Sequence, residues 1–319
     1  MAQLQAALIG CGGRGRGYLR ELTQLTRFDD VVVVAVCDPV AAVREPAAAD
    51  FAVPRQYEAI EEMLASETLD AVFVATPAHL NAQCALPCLE RGVNTLLEKP
   101  PGLSVAETKG LRDAAQRTGA KGMVGWQRRF NPFIVEARQK IEARGPIAQL
   151  VGEFHKSITG LAAAGRWPEQ VMDNMLLESP IHAIDVVRAM AGGEVAEVHS
   201  VVQRRVSDYK DVHAALVLFD NGCVAQLTAA YTGGGRLERY EIHGRDISAY
   251  LEGVSGGVAF YDGGRRELTG DGPAATVAQN RFFLDCVKED RQVTLPAANL
   301  DEAIKTMELA EQILAGLRS

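Results

Sequence analysis

The chain has 319 residues, a formal net charge of -8 and no basic tract, so neither nucleic acid nor an anionic membrane surface is an expected partner. Hydrophobic residues at 47% and charged residues at 23% give the balance of a globular protein with a sizeable core, and the length suggests two domains. No apolar run approaches the ~18–20 residues of a membrane span. The opening MAQLQAALIG has no basic residue before its apolar stretch, so no signal peptide is expected and a cytoplasmic location is.

From the N-terminus, apolar runs at 6–9, 31–37, 71–75, 93–97 and 122–126 alternate with amphipathic stretches near 16–27, 57–66, 79–91 and 104–118. The runs are rich in valine and nearly continuously apolar, which suits strands buried on both faces. The last helix opens on Ser104 with Glu107 three residues on, a capping box. This alternation predicts an α/β fold whose residues 1–124 form a doubly wound parallel sheet.

The pattern then changes. Strands are expected at 147–158, 195–206, 212–220, 223–231, 238–243, 247–252, 257–261 and 265–268, several joined by turn sequences such as Asp220-Asn221-Gly222 and Asp262-Gly263-Gly264. Helices near 132–143, 180–191, 277–289 and 300–317 accompany them. Residues 125–319 therefore read as a second α/β domain with a large, mostly antiparallel, open sheet. Residues 160–178 lack a clean period and read as a loop. Along Val212 to Phe219 (VHAALVLF) both alternating sets are mostly apolar. Either helices cover both faces of that strand, or one face is an oligomer interface. The six cysteines are scattered, and Cys84 and Cys88 have no histidine or second pair nearby, so reduced thiols and no metal site are expected.

Gly10-Cys11-Gly12-Gly13-Arg14-Gly15 fits G-x-G-x-x-G between a predicted strand and a predicted helix, the context that makes this motif a dinucleotide loop. Gly10 permits the tight turn, Gly12 the approach of a pyrophosphate, and Gly15 close packing of helix on strand. The second strand ends in Cys37-Asp38-Pro39. A carboxylate at Asp38 would accept the adenosine ribose hydroxyls and repel a 2′-phosphate, favouring NAD over NADP, although Arg14 and Arg44 leave NADP open.

Together with Thr76-Pro77 and His79, Glu98-Lys99-Pro100, Gly125 through Arg129-Phe130 and Pro132, and His182 with Asp185, this loop resembles the Gfo/Idh/MocA oxidoreductases. The resemblance runs through nearly the whole chain. It implies a Rossmann domain followed by an α/β domain, assembly into homodimers or homotetramers through the second sheet, and hydride transfer between NAD or NADP and a hydroxyl or carbonyl of a sugar, inositol or sugar derivative. It implies that Lys99 meets substrate and cofactor at the reacting centre, where a lysine can stabilise a developing alkoxide. Without the resemblance, Lys99 reads as a solvated strand-end lysine paired with Glu98. Gly13 and Arg14 of the loop are expected to bind the cofactor; Thr76, Pro77, His79 and Glu98 match positions that line it in relatives, and His79 equally fits a polar helix start.

Oxidising a carbinol needs a base that titrates near working pH, and histidine does so without tuning. In Glu178-Ser179-Pro180-Ile181-His182-Ala183-Ile184-Asp185, Ser179 reads as an N-cap and Pro180 as the first helical position. The family pattern makes His182 the general acid/base and Lys99 its electrostatic partner. Relatives usually carry an aspartate four residues before this histidine. Glu178 stands there instead, as an orienting or substrate-binding carboxylate. Asp185 is expected to bind a substrate hydroxyl or to hold His182. Arg128, Trp167, Arg166 and His155 are further candidate substrate contacts, and Arg129 a structural residue. Two other readings remain: a redox-neutral NAD-using enzyme on a glycoside, and a nucleotide-binding regulator without catalysis.

Overall fold

The computed structural model describes residues 3–24, 28–163, 165, 167–253, 255–270 and 272–318. The chain forms two compact units. Met1–Gly125 with Val277–Ile304 makes the first, and Trp126–Thr276 with Lys305–Ser319 the second.

The first unit runs β1 (Leu4–Ile9), α1 (Gly13–Gln24), β2 (Val31–Cys37), α2 (Ala41–Asp50), β3 (Arg55–Tyr57), α3 (Ile60–Ser66), β4 (Ala71–Val74), α4 (Asn81–Glu90), β5 (Asn94–Leu97), α5 (Val105–Thr118) and β6 (Gly122–Val124). These six strands are parallel, in the order β6-β5-β4-β1-β2-β3. That is the dinucleotide-binding order, with the switch point beside β1. Ala6–Ile9, Val33–Cys37, Ala71–Val74, Leu96–Leu97 and Met123–Val124 are buried, as continuous apolar runs require. At α5, Ser104 Oγ accepts from Glu107 N at 3.2 Å, and the Glu107 carboxylate accepts from Leu103 N at 2.5 Å, one residue before the capping-box partner.

The pair α2 and β3 is absent from the sequence reading. Pro46 interrupts the helical pattern of α2, and three residues of β3 are too few to show a period. The reading also divided the chain once, at 124/125. Packing returns Val277–Ile304 to the first unit. Phe283 lies edge-on to Phe73 with centroids 5.8 Å apart, and Arg281 and Lys288 pair with Asp30, each at 2.7 Å. A helical period records an apolar face and is silent about which core receives it.

The second unit holds α6 (Pro132–Glu142), β7 (Gln149–Ser157), α7 (Ile158–Ala163), α8 (Glu169–Met172), α9 (Ile181–Ala191), β8 (Val195–Gln203), β9 (Val212–Phe219), β10 (Val224–Ala230), β11 (Thr232–Gly244), β12 (Ile247–Glu252), β13 (Gly256–Tyr261) and β14 (Gly264–Thr269). Its eight strands run in the order β14-β13-β12-β11-β7-β10-β9-β8, antiparallel except for the parallel pair β7 and β10. Helix α10 (Gly272–Lys288), strand β15 (Ala298–Asn299), which pairs antiparallel with β6, and α11 (Leu300–Leu314) complete the chain. The fold is thus α/β, a parallel doubly wound sheet and then a mostly antiparallel one.

Two local readings change. The segment 160–178 contains α7, α8 and a 3-10 turn at Met175–Leu177 in place of a continuous loop. Val171, Met172, Met175, Leu176 and Leu177 are buried, so tertiary contacts organise the stretch without a period. Helices do not cover both faces of β9: His213, Ala215, Val217 and Phe219 are buried, while Ala214, Leu216 and Leu218 are exposed. No helix among the described residues is long and apolar enough to cross a membrane.

Candidate active site

Parallel strands carry their carboxyl ends to one edge of a sheet, and ligands of open α/β sheets bind there. The loop after β1 is shaped by two close approaches. A Cβ on Gly10, whose φ is +91°, would lie 2.6 Å from the Ala75 carbonyl oxygen beyond β4; one on Gly15 would lie 1.9 Å from the Gly10 carbonyl oxygen. Neither position admits a side chain. Gly12 and Gly13 are exposed with open space beside them. The backbone of the first turn of α1 is therefore open to a phosphate, which the helix N-terminus favours. These residues fit the pyrophosphate of a dinucleotide. Cys11 points inward and burial pushes its thiol up to about 12, so it is a packing residue rather than a nucleophile.

Asp38 follows β2. Its Oδ2 accepts from Cys11 N at 2.8 Å and its Oδ1 from Val40 N at 2.9 Å. The carboxylate thus braces the glycine loop, and each oxygen retains a lone pair for a ribose hydroxyl. Arg44 donates to the Asp38 carbonyl at 2.5 Å.

After β5, Glu98 turns inward. Arg14 Nε reaches Glu98 Oε1 at 2.5 Å and Tyr18 OH reaches the same oxygen at 2.7 Å, while the Arg14 guanidinium lies 4.5 Å from the Tyr18 ring centroid. Burial pushes the Glu98 carboxyl up, but Arg14, Lys99 and the bond from Tyr18 outweigh it and hold the pKa below the usual range. Glu98 is therefore engaged by α1 while Lys99 stands half-buried at the strand end. Asn81 fixes this turn. Its Nδ2 donates to the carbonyls of Glu98 (3.1 Å) and Pro100 (2.8 Å), and its Oδ1 accepts from Thr76 Oγ1 (2.8 Å). One buried amide thus ties the ends of β4 and β5 together. Pro77 is exposed and His79 half-buried beside them.

In the second unit, His182 lies in the first turn of α9 and is 5% exposed. The helix begins one residue later than the sequence suggests, with Pro180 as N-cap. The Ser179 hydroxyl does not cap it. It donates instead to Glu178 Oε2 and accepts from Lys156 Nζ at 2.7 Å, while Lys156 Nζ also meets Glu178 Oε2 at 3.1 Å. Tyr231, buried, donates to the Met175 carbonyl at 2.9 Å, and burial together with Glu178 raises its pKa well above the ordinary value.

Three expected substrate contacts have partners within the protein. Asp185 is wholly buried and takes both Arg129 donors, at 2.8 and 2.7 Å, plus Thr306 Oγ1 at 3.0 Å. Arg129 is structural because it neutralises that carboxylate. Arg128 is equally committed, with bonds of 2.7 and 3.0 Å to Glu238. His155 faces away from α9: along β7 the residues Leu150, Gly152, Phe154 and Lys156 share one face, and a Cβ on Gly152 would meet Val187 of α9 at 2.9 Å. His155 is on the opposite face, where its Nδ1 accepts from Ala230 N at 3.1 Å. Trp167 is half-buried before Pro168, and Arg166 lies outside the described residues. Sequence reading missed Lys156, Asn81, Tyr18 and Tyr231. The period-two pattern of β7 carried the signal for Lys156. Among the described residues no cluster of three His, Cys, Asp or Glu side chains could hold a metal.

A glycine loop leading into α1, an acidic residue after β2 and strand ends gathered beside β1 define a nucleotide-binding fold. Comparison with known proteins carries this further. Residues 4–126 match the model of the oxidoreductase family with an NAD-binding Rossmann fold, and residues 135–250 match the GFO/IDH/MocA C-terminal domain. The chain belongs to the Gfo/Idh/MocA family and is an NAD-binding oxidoreductase. It is 27% identical over 265 residues to scyllo-inositol 2-dehydrogenase (NAD(+)) of Bacillus subtilis (strain 168), covering 80% of this chain and 73% of that one. It is 25% identical over 314 residues to 4-carboxy-2-hydroxymuconate-6-semialdehyde dehydrogenase of Sphingobium sp., covering 95% and 96%. Among solved structures, levoglucosan dehydrogenase in complex with NADH superposes with a TM-score of 0.85 at 19% identity, covering 98% of this chain and 96% of that one. This last likeness is one of fold.

Proposed function

We propose that the protein is an NAD-dependent dehydrogenase that transfers a hydride between the nicotinamide and a ring carbinol or carbonyl of an inositol, sugar or sugar derivative. The observation that carries this reading is the retention of both reactive groups, Lys99 at the end of β5 and His182 in the first turn of α9, in segments that match the family. Bound NAD supplies the hydride acceptor. His182 takes the carbinol proton as general base. Lys99 stabilises negative charge that develops during the transfer. Asp38 favours NAD over NADP. The exposed apolar residues Val201, Leu216, Leu218, Tyr250 and Phe260 of the second sheet support a homodimer or homotetramer formed there. A cytoplasmic location accords with the reduced cysteines and the nicotinamide chemistry.

The test is a thermal-shift titration with NAD and NADP, followed by a screen of inositols, aldoses, anhydrosugars and sugar nucleotides for NADH absorbance. A melting temperature raised by NAD, with NADH formed from one of these polyols, supports the reading. NAD binding with no NADH from any of them refutes it. Light scattering on the same sample reads the assembly, and a monomer removes the sheet interface.

A further inference from the structure

We propose that Lys156 is a positioning residue of this enzyme, fixing the carboxylate of Glu178 for the reaction; the proposal rests on the dehydrogenase reading above. The alternation of β7 turns Lys156 to the face packed by α9 and turns His155 away from it. From that face the Lys156 ammonium meets Glu178 Oε2 at 3.1 Å and Ser179 Oγ at 2.7 Å, and the Ser179 hydroxyl donates to the same Glu178 oxygen. One carboxylate oxygen thus takes two donors, one from β7 and one from the turn before α9.

A glutamate side chain has several rotatable bonds, and ordering it costs side-chain entropy. The ammonium and hydroxyl offset that cost by holding one rotamer. The Lys156 and Glu178 side chains are 22% and 17% exposed, so their attraction is screened less than that of a surface pair. The clamp falls on the two residues that lead into α9. His182 N bonds to the Ser179 carbonyl at 3.1 Å, and Ala183 N to the Pro180 carbonyl at 2.8 Å. Fixing 178–179 therefore also fixes where the first turn of α9, with His182, begins. Lys156 acts through Glu178 and Ser179 and so positions rather than reacts.

Lys156→Met and Lys156→Arg are assayed with the polyol that the wild-type enzyme oxidises. Alongside, a urea double-mutant cycle pairs Lys156→Met with Glu178→Gln. Lys156→Met is expected to lower kcat about 100-fold, the cost of a small misplacement at a reacting centre, while leaving NAD affinity unchanged. Lys156→Arg should restore most of the loss, and the cycle should show coupling. Wild-type kcat in Lys156→Met overturns the proposal. So does a loss that Arg leaves uncorrected, or a cycle without coupling. Should Lys156→Met fail to fold, Lys156→Gln, which keeps a donor for Ser179, is held to the same outcomes. A wild-type enzyme silent toward every polyol refutes the dehydrogenase reading, and coupling found in that protein makes the pair structural and overturns the positioning role.

Discussion

Replacing Arg129 by Met should separate a structural Asp185 from a substrate-binding one. The Arg129 side chain is 3% exposed and that of Asp185 0%, with two parallel N–H···O bonds of 2.8 and 2.7 Å between them. Thr306 adds a third donor to Asp185 and is itself held by Arg188 Nε at 2.9 Å. Methionine keeps much of the arginine's length and removes its charge. Asp185 would then remain in the interior with the Thr306 hydroxyl donating to it but without the Arg129 cation beside it. Breaking a buried pair from one side costs about 3–5 kcal/mol, because the surviving charge has lost its counter-ion and no water replaces it. Against a total stability of about 5–15 kcal/mol, this is a large fraction. Removing both charges, in Arg129→Met with Asp185→Asn, should recover about half or more of that loss, since an uncharged replacement leaves no orphan ion. Urea unfolding followed by circular dichroism reads all four proteins. The reasoning is refuted if Arg129→Met costs under about 1 kcal/mol, the range of an exposed pair. It is refuted equally if Asp185→Asn keeps full stability but raises KM for the polyol, which would return Asp185 to the substrate.

Further expectations concern the cofactor and pH. Asp38→Ala should weaken NAD binding and lower the NAD:NADP affinity ratio about ten-fold, the worth of a hydrogen bond to a charged group. The braced Cys11 and Val40 amides would be released as well, so affinity for both cofactors should fall; an unchanged ratio in calorimetric titrations removes Asp38 from ribose recognition. His213 is buried, and burial pushes its pKa from 6.5 down to about 4. The folded state keeps this imidazole neutral while the unfolded chain protonates it below its ordinary value. The stability that comes from burying it neutral is fully present above pH 6.5 and is lost as pH falls toward 4, roughly 3 kcal/mol in all. His213→Leu should remove that part of the slope. Parallel urea midpoints for the two proteins between neutral and acid pH would contradict this.

The fold was legible where one element carries its own signal. The apolar runs marked β1, β2, β4 and β5, and the glycine loop marked the turn into α1, because buried strands and phosphate turns dictate residue type locally. What escaped depends on long-range packing. Glu98 looks in sequence like a partner of Lys99 alone, yet Arg14 and Tyr18, some eighty residues away, also bond to it. Asp185 looks like a polar residue for His182 or substrate, yet Arg129 takes both its oxygens. His155 and Lys156 are neighbours in sequence and opposites in space, and a one-residue change of parity decided which of them stands with Glu178. Ser179 has the chemistry of a helix cap and spends it on Lys156 and Glu178 instead. In each case the residue type was right for several partners, and only the tertiary contact selected one.

The central claim is that Lys99 acts on charge that develops during hydride transfer. The direct measurement is the rate of NADH formation by Lys99→Met at saturating NAD and polyol, with NAD affinity measured in parallel by thermal shift. The account predicts a fall in kcat of about 10²–10³-fold with NAD affinity within a few-fold of wild type. Turnover near the wild-type rate would contradict it.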